Sequence, residues 1–176
     1  LFWVLNSYLL MLASLIIVGG SLGDKLGRVK IFRWGIIIFT IGSIFCGFSQ
    51  NVIQLILFRG VQGLGGALMI PGSLAIISAI FNKAEKGKAI GTWSAATTIV
   101  TICGPVLGGA LADIGLWRLI FFINVPLGIL SLYALYTKVP ESREPGASAI
   151  DWKGAIFLTV SLAALTMGFL EMPELG

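Results

Sequence analysis

Charged residues divide the chain into uncharged runs at 1–23, 34–58, 60–82, 89–112, 119–137 and 154–170. A helix that crosses a bilayer needs about 20 mostly apolar residues, and the runs are of that order. The pattern predicts an all-α integral membrane protein with six transmembrane helices: Phe2–Leu22, Ile31–Phe48, Val52–Ile80, Ala89–Ala112, Leu119–Thr137 and Trp152–Leu170. The third carries a charge, Arg59. Short links around Ser49-Gln50-Asn51 and Asp113–Arg118 make neighbouring helices antiparallel. The longest polar stretch, Lys138 to Asp151, contains Pro140, Pro145 and Gly146. It reads as a cytoplasmic linker at 139–151, between a five-helix unit at 1–138 and the sixth helix with the start of its following loop at 152–176.

Composition names the solvent. Apolar residues make up 57% of the 176 residues and charged residues 11%, with a mean hydropathy of +0.98. A globular protein carries about 25% charged residues. Too little polar surface is present to face water, so the bilayer is the expected surrounding. The net charge of +4 does not point to nucleic acid, because the basic residues sit in short clusters between apolar runs. Ten of the 12 fall in alternate loops: Lys25, Arg28, Lys30 and Arg33; Lys83, Lys86 and Lys88; Lys138, Arg143 and Lys153. The intervening loops hold only Arg118. By the positive-inside rule the ten-charge side is cytoplasmic, so the first helix runs inward and the sixth ends outside.

The chain starts at Leu1 and enters a helix at once, which reads as a piece whose preceding helix is missing; the end at Gly176 is equally abrupt. Cys46 and Cys103 fall inside spans and are expected as buried free thiols that pack as small hydrophobes. Gly19-Gly20-Ser21-Leu22-Gly23-Asp24 repeats as Gly108-Gly109-Ala110-Leu111-Ala112-Asp113. Three helices separate the copies, so they lie at opposite faces, as in the inverted-topology repeats of secondary transporters. Glycines cluster inside the spans, where small residues let helix backbones approach closely. Pro71, Pro105 and Pro126 each remove a helical hydrogen bond and are expected to kink their spans.

Four further segments carry chemistry. In Gly20-Ser21-Leu22-Gly23-Asp24-Lys25-Leu26-Gly27-Arg28, Gly27 permits a tight turn with positive φ. Asp24 can face a helix N-terminus, with Lys25 and Arg28 as partners and anchors. Arg59-Gly60-Val61-Gln62-Gly63-Leu64-Gly65-Gly66 comes next, on the third helix, then Gly104-Pro105-Val106-Leu107-Gly108-Gly109 on the fourth. Trp117-Arg118-Leu119-Ile120-Phe121-Phe122-Ile123-Asn124-Val125-Pro126-Leu127-Gly128 opens the fifth. In this order they resemble, respectively, the G-x-L-x-D-x-x-G-R loop, the R-x-x-Q-G-x-G helix, the antiporter motif G-P-x-x-G-G and the W-R-x-x-F-x-x-N-x-P-x-G run of the major facilitator superfamily. The last, together with Asp151-Trp152-Lys153-Gly154, is similar to the fourteen-helix drug:proton antiporters. Gly91 matches the upstream glycine of the antiporter motif, while Val100 stands where that motif has an intermediate glycine.

The resemblance covers nearly the whole chain and makes the third helix here the family's fourth. It implies a major facilitator-type bundle, a gating and interdomain loop at Gly20, Asp24, Gly27 and Arg28, and a pathway or coupling group at Arg59, Gln62 and Gly63. A helix-shaping antiporter motif is implied at Gly104, Pro105, Gly108 and Gly109. It further implies proton-coupled export of drugs or other amphipathic small molecules across the plasma or inner membrane, by rocking two helical halves. A carrier of sugars, metabolites or peptides in the same superfamily, and a non-transporting membrane interaction module from a truncated gene, remain as alternatives.

Enzyme chemistry finds no support. The absence of histidine removes His-based triads, and two cysteines on different helices make no zinc site; no cofactor or metal is expected. Gly63-Leu64-Gly65 is followed by Leu68 where a dinucleotide loop needs glycine, and it has no preceding strand. Arg59 lies about 10 Å below the outer surface if its helix begins at Val52, with Gln62, Gly63 and Gly66 on its face. A charge at that depth costs about 2.5–3.5 kcal/mol on insertion scales. It then faces a protein interior or an aqueous pathway, or else it snorkels to the outer headgroups. No carboxylate occupies the middle of a span, and arginine does not release its proton. The resemblance places the proton-binding acid on helices missing from this chain, which the working carrier needs as partners.

Overall fold

The computed structural model describes residues 2–141 and 152–171, and among them every regular element is a helix. In chain order these are α1 (Phe2–Leu26), α2 (Arg28–Phe48), α3 (Val52–Ile80), α4 (Lys83–Asp113), α5 (Leu119–Phe122), α6 (Asn124–Lys138) and α7 (Trp152–Glu171). Five stretches are long and apolar enough to cross a bilayer: α1, α2, α3, α4 and the combined α5–α6 at Leu119–Lys138. The sixth expected span coincides with α7, whose apolar part, Lys153–Phe169, is shorter than the other five. The expected linker lies outside the described residues beyond Glu141, as does the loop after α7.

The helices run past the expected boundaries at the basic end. α1 continues to Leu26, α2 begins at Arg28 and α4 at Lys83, because polar residues end the hydrocarbon without ending the helix. Stops are set by local chemistry. Gly27, at φ 113°, turns α1 into α2 in a single residue, a backbone conformation that a side chain would strain. Asn51 accepts from the Gln54 N–H at 2.9 Å and so starts α3. Asn82 accepts from the Ala84 and Glu85 N–H groups, both at 3.0 Å, and starts α4, with the Glu85 charge favoured in that first turn. α4 ends in a Schellman closure: Leu116 N–H reaches Leu111 O at 2.8 Å and Gly115 N–H reaches Ala112 O at 3.0 Å.

Pro71 and Pro105 lie inside helices that continue on both sides of them. Near Pro126 the expected fifth span, continuous over Leu119–Lys138, is divided into α5 and α6. The division falls at Ile123, which keeps helical dihedrals (φ −61°, ψ −26°) and donates its N–H to Leu119 O at 3.0 Å, and Pro126 sits in the first turn of α6.

α3 is the centre of the bundle, packed between α1 and α2; α6 lies on the other side of α2, and α7 against α1. The crossings are built from backbone contact. A Cβ on Gly19 would collide with the Ala67 carbonyl, one on Gly35 would come within 2.9 Å of Gly65 O, and one on Gly42 within 3.0 Å of Gln62 N. Lipid offers no hydrophobic drive for helix association, so this close fit carries the packing. An apolar cluster of Val29, Ile36, Ile76 and Leu135 fills the basic end of α2, α3 and α6. α4 has no buried residue, and Cys103 on it is exposed while Cys46 on α2 is buried. The expectation of two buried thiols therefore holds for Cys46 alone.

Loop contacts fix the two ends of the bundle. Arg118 donates to Ser49 O at 2.9 Å, joining the loops at the weakly charged end. Glu141 accepts from Val29 N–H at 3.0 Å and Lys30 N–H at 2.9 Å, joining those at the basic end. The two copies of the Gly-Gly-x-Leu-x-Asp repeat close α1 and α4, at opposite ends.

Candidate functional site

Two helical turns into α3, Arg59 turns its guanidinium toward α1. Its Nε donates to the Val4 carbonyl at 3.2 Å, and its Cζ lies 4.3 Å from the centre of the Tyr8 ring. One turn on, Gln62 is 1% exposed, and its Oε1 accepts from Arg59 Nη1 at 2.7 Å. Close approach makes this reach available. A Cβ at Gly63 would collide with the Tyr8 carbonyl oxygen, and one at Gly66 would come within 2.8 Å of Leu12 Cδ1. The expected face of Arg59, Gln62, Gly63 and Gly66 is thus assembled against α1, and Arg59 points into the bundle.

The polar chain continues across two more helices. A guanidinium only donates, so Gln62 must present its oxygen to Arg59 and its NH2 elsewhere. That group donates to Ser43 Oγ on α2. Asn124 Nδ2, at the start of α6, donates to the same hydroxyl at 3.0 Å and lies 3.5 Å from Ile120 O. Both lone pairs of the fully buried Ser43 are therefore occupied, and the order of donors runs in from both sides to one oxygen. Sequence reasoning missed Ser43, Tyr8 and the role of Asn124. Asn124 was signalled by the motif at the start of the fifth span, whereas a single serine in an apolar run gave no signal. Among the described residues no carboxylate pairs with Arg59; its charge rests on a carbonyl, an amide oxygen and an aromatic face.

The loop residues form a second, separate group. Arg28 pairs with Asp24 through Nε at 3.0 Å and Nη2 at 2.9 Å. Gly20 faces Pro71, whose Cβ would lie 3.6 Å from an added Cβ. The carboxylate on the amides of α2 is that of Glu141, not Asp24; a Cβ on Gly27 would displace that carboxylate, whose Cδ would lie 2.8 Å away, and the φ of 113° would strain any side chain there. The third group stands apart from both. On α4, no neighbouring element comes within 4 Å of an added Cβ at Gly104 or Gly109, and for Gly108 the nearest atom is Ile120 Cδ1 at 3.9 Å. Pro105 lies among them, inside α4. Nearby, Thr97, Thr98 and Thr101 each donate to the carbonyl four residues back, at 2.8–2.9 Å, so each hydroxyl spends its donor on its own helix.

The family profile described as Major Facilitator Superfamily matches residues 2–172. The chain belongs to the major facilitator superfamily. Over 99% of its length it is 41% identical to Multidrug resistance protein Stp of Mycobacterium tuberculosis, covering 33% of that protein. Over 93% it is 39% identical to Multidrug resistance protein 3 of Bacillus subtilis, covering 32%. It is 35% identical over 99% of its length to the Tetracenomycin C resistance and export protein of Streptomyces glaucescens, again covering 32%. The fold is similar to a bacterial homologue of the human lysosomal transporter Spinster in an inward-facing, occupied conformation. That match has a TM-score of 0.61 and 27% identity, and covers 81% of this chain and 38% of that one. The chain thus spans about a third of the length of these relatives. As a superfamily member with several apolar helices, it is a multi-pass membrane protein.

Proposed function

We propose that the chain forms part of a secondary transporter that exports drug-like amphipathic small molecules in exchange for protons. It acts as a carrier rather than an enzyme, with the basic end cytoplasmic and the protein in the cell membrane. The observation that carries this reading is Arg59, a cation inside the bundle with no carboxylate against it among the described residues, held by Val4 O, Gln62 and Tyr8. A buried charge is costly in a membrane and marks a pathway or relay. The resistance and export named for the three relatives supports the substrate class.

In this reading the Asp24–Arg28 pair and Gly27 belong to a cytoplasmic gate, and the Gly104–Gly109 stretch of α4 faces the other half of the carrier. Residues 1–138 form one rocking unit, joined by the linker at 139–151 to the sixth span and the remainder of the carrier. The proton-binding acid is supplied by other parts of the full-length molecule, since arginine stays charged throughout.

The test is drug efflux driven by an imposed pH gradient, at matched expression of the full-length protein. Arg59→Ala is expected to abolish coupled efflux while leaving the protein inserted, because it removes a buried charge. Arg59→Lys is expected to restore little. One ammonium cannot serve Val4 O, Gln62 Oε1 and the Tyr8 face together as the planar fork does. Near-normal efflux in both variants would remove Arg59 from the mechanism.

A further inference from the structure

At the basic end, α2 and α6 hold each other by opposite charges placed on opposite helix ends. Glu141, just past α6, accepts from the first amides of α2. Arg33, in the second turn of α2, donates through Nη2 to Leu135 O in the last turn of α6 at 2.6 Å, and its Cζ lies 4.2 Å from the centre of the Tyr136 ring. Each charge has the sign that its helix end favours. Between them opens a cavity of about 410 Å³ lined by Lys30, Arg33, Trp34, Ile37, Tyr136 and Glu141.

Among the described residues that line this cavity the charges do not cancel. Glu141 is engaged with the α2 amides, and among the described residues neither Lys30 nor Arg33 forms an ion pair with a carboxylate. The Nε of Arg33 is buried without a hydrogen-bond partner among them. Among the described residues lining the cavity, two cations against one carboxylate leave about one positive charge, which matches a phosphodiester better than a dianionic phosphate monoester. The surroundings are apolar and exposed. Trp34, Ile41 and Phe45 form an exposed ridge along α2 at i, i+7 and i+11, and Ile129, Tyr133 and Tyr136 form another along α6 at i, i+4 and i+7. A charged cavity that continues into two apolar ridges, with a tryptophan and a tyrosine at the junction, has the polarity profile of a phospholipid at the membrane interface.

We propose that the α2–α6 cavity binds one anionic glycerophospholipid, its phosphodiester held by Lys30 and Arg33 and its acyl chains laid along the two ridges. The lipid extends the clasp between α2 and α6 outward and does not depend on what the protein transports.

Native mass spectrometry of the purified, delipidated full-length protein tests this, with phosphatidylglycerol and phosphatidylcholine added at equal concentration. One phosphatidylglycerol is expected to be retained in clear preference to phosphatidylcholine. Lys30→Gln and Arg33→Gln are each expected to lower its retention about fivefold, the effect of one basic group near an anionic headgroup. Because Arg33→Gln also loosens α6, Lys30→Gln is the deciding variant; its side chain holds no helix. Lys83→Gln/Lys86→Gln, at the same end but outside the cavity, is expected to change nothing. Equal retention of the two lipids, an unchanged Lys30→Gln variant, or an equal loss in the Lys83/Lys86 control would each overturn the proposal. Displacement of the lipid by millimolar inorganic phosphate or glycerol 3-phosphate would assign the cavity to a soluble anion instead, and would equally overturn it.

Discussion

Ser43 shows how a residue without any mark in the sequence can hold a site together. Arg59 was legible because a charge interrupts an otherwise apolar span, and Gln62 because it follows at one helical turn. Ser43 becomes visible only when α2, α3 and α6 are brought together. Its hydroxyl then receives both the Gln62 and the Asn124 amides. Ser43→Ala would leave the Gln62 NH2 unpaired in a fully buried position, where a lost polar partner costs about 1 kcal/mol. Thermal unfolding in detergent should register a lower midpoint. Coupled efflux should fall as well, because an untethered Gln62 no longer fixes the Arg59 fork. An unchanged midpoint with full efflux would show that the hydroxyl is not the junction of the polar chain. Asn124→Ala should cost less, since Ser43 would keep the Gln62 amide.

Helix count and order were legible from charge spacing alone, because charge is what hydrocarbon excludes. Helix ends were less so, since they are set by Gly27, Asn51, Asn82 and Gly115 rather than by hydropathy. The division at Ile123 had no apolar–polar boundary to announce it, only Pro126 three residues on. The function of the glycines was legible in kind but not in place. Gly63 and Gly20 are both motif residues, yet their surroundings differ. A Cβ on Gly63 would strike a backbone carbonyl of α1, which cannot swing aside, whereas one on Gly20 would meet Pro71 Cβ at an ordinary 3.6 Å. Gly63→Ala should therefore push α1 from α3, costing about 1–3 kcal/mol as overpacking does, and should lengthen the Arg59–Val4 contact. Gly20→Ala should be neutral or slightly stabilising through helix propensity. Unfolding of the two variants side by side checks this; equal destabilisation would mean that the α1–α3 approach is not limited by Gly63.

The arrangement of the whole molecule across the membrane is set by loops that meet at the two ends of the bundle. Ten basic residues in alternate loops against Arg118 alone define the basic end, and Glu141 ties α2 to the end of α6 there by accepting from the Val29 and Lys30 N–H groups. The sequence pattern carried this asymmetry, but not the clasp itself, which joins residues more than a hundred positions apart and depends on α2 and α6 becoming neighbours. If the positive-inside rule governs this protein, the loop at Gln50 lies outside and the start of α4 lies inside. Gln50→Cys and Glu85→Cys probe the two sides with little structural cost. Both positions are exposed, and each substitution leaves the capping side chains of Asn51 and Asn82 intact. The background needs Cys103→Ser, because Cys103 is exposed, while Cys46 is buried. A membrane-impermeant maleimide added to sealed cells should modify position 50 and spare position 85, which should react only after the cells are opened. Labelling of position 85 in sealed cells, with position 50 protected, would invert the topology. The Arg59 site would then be nearer the cytoplasm, and the α2–α6 cavity would meet the outer leaflet.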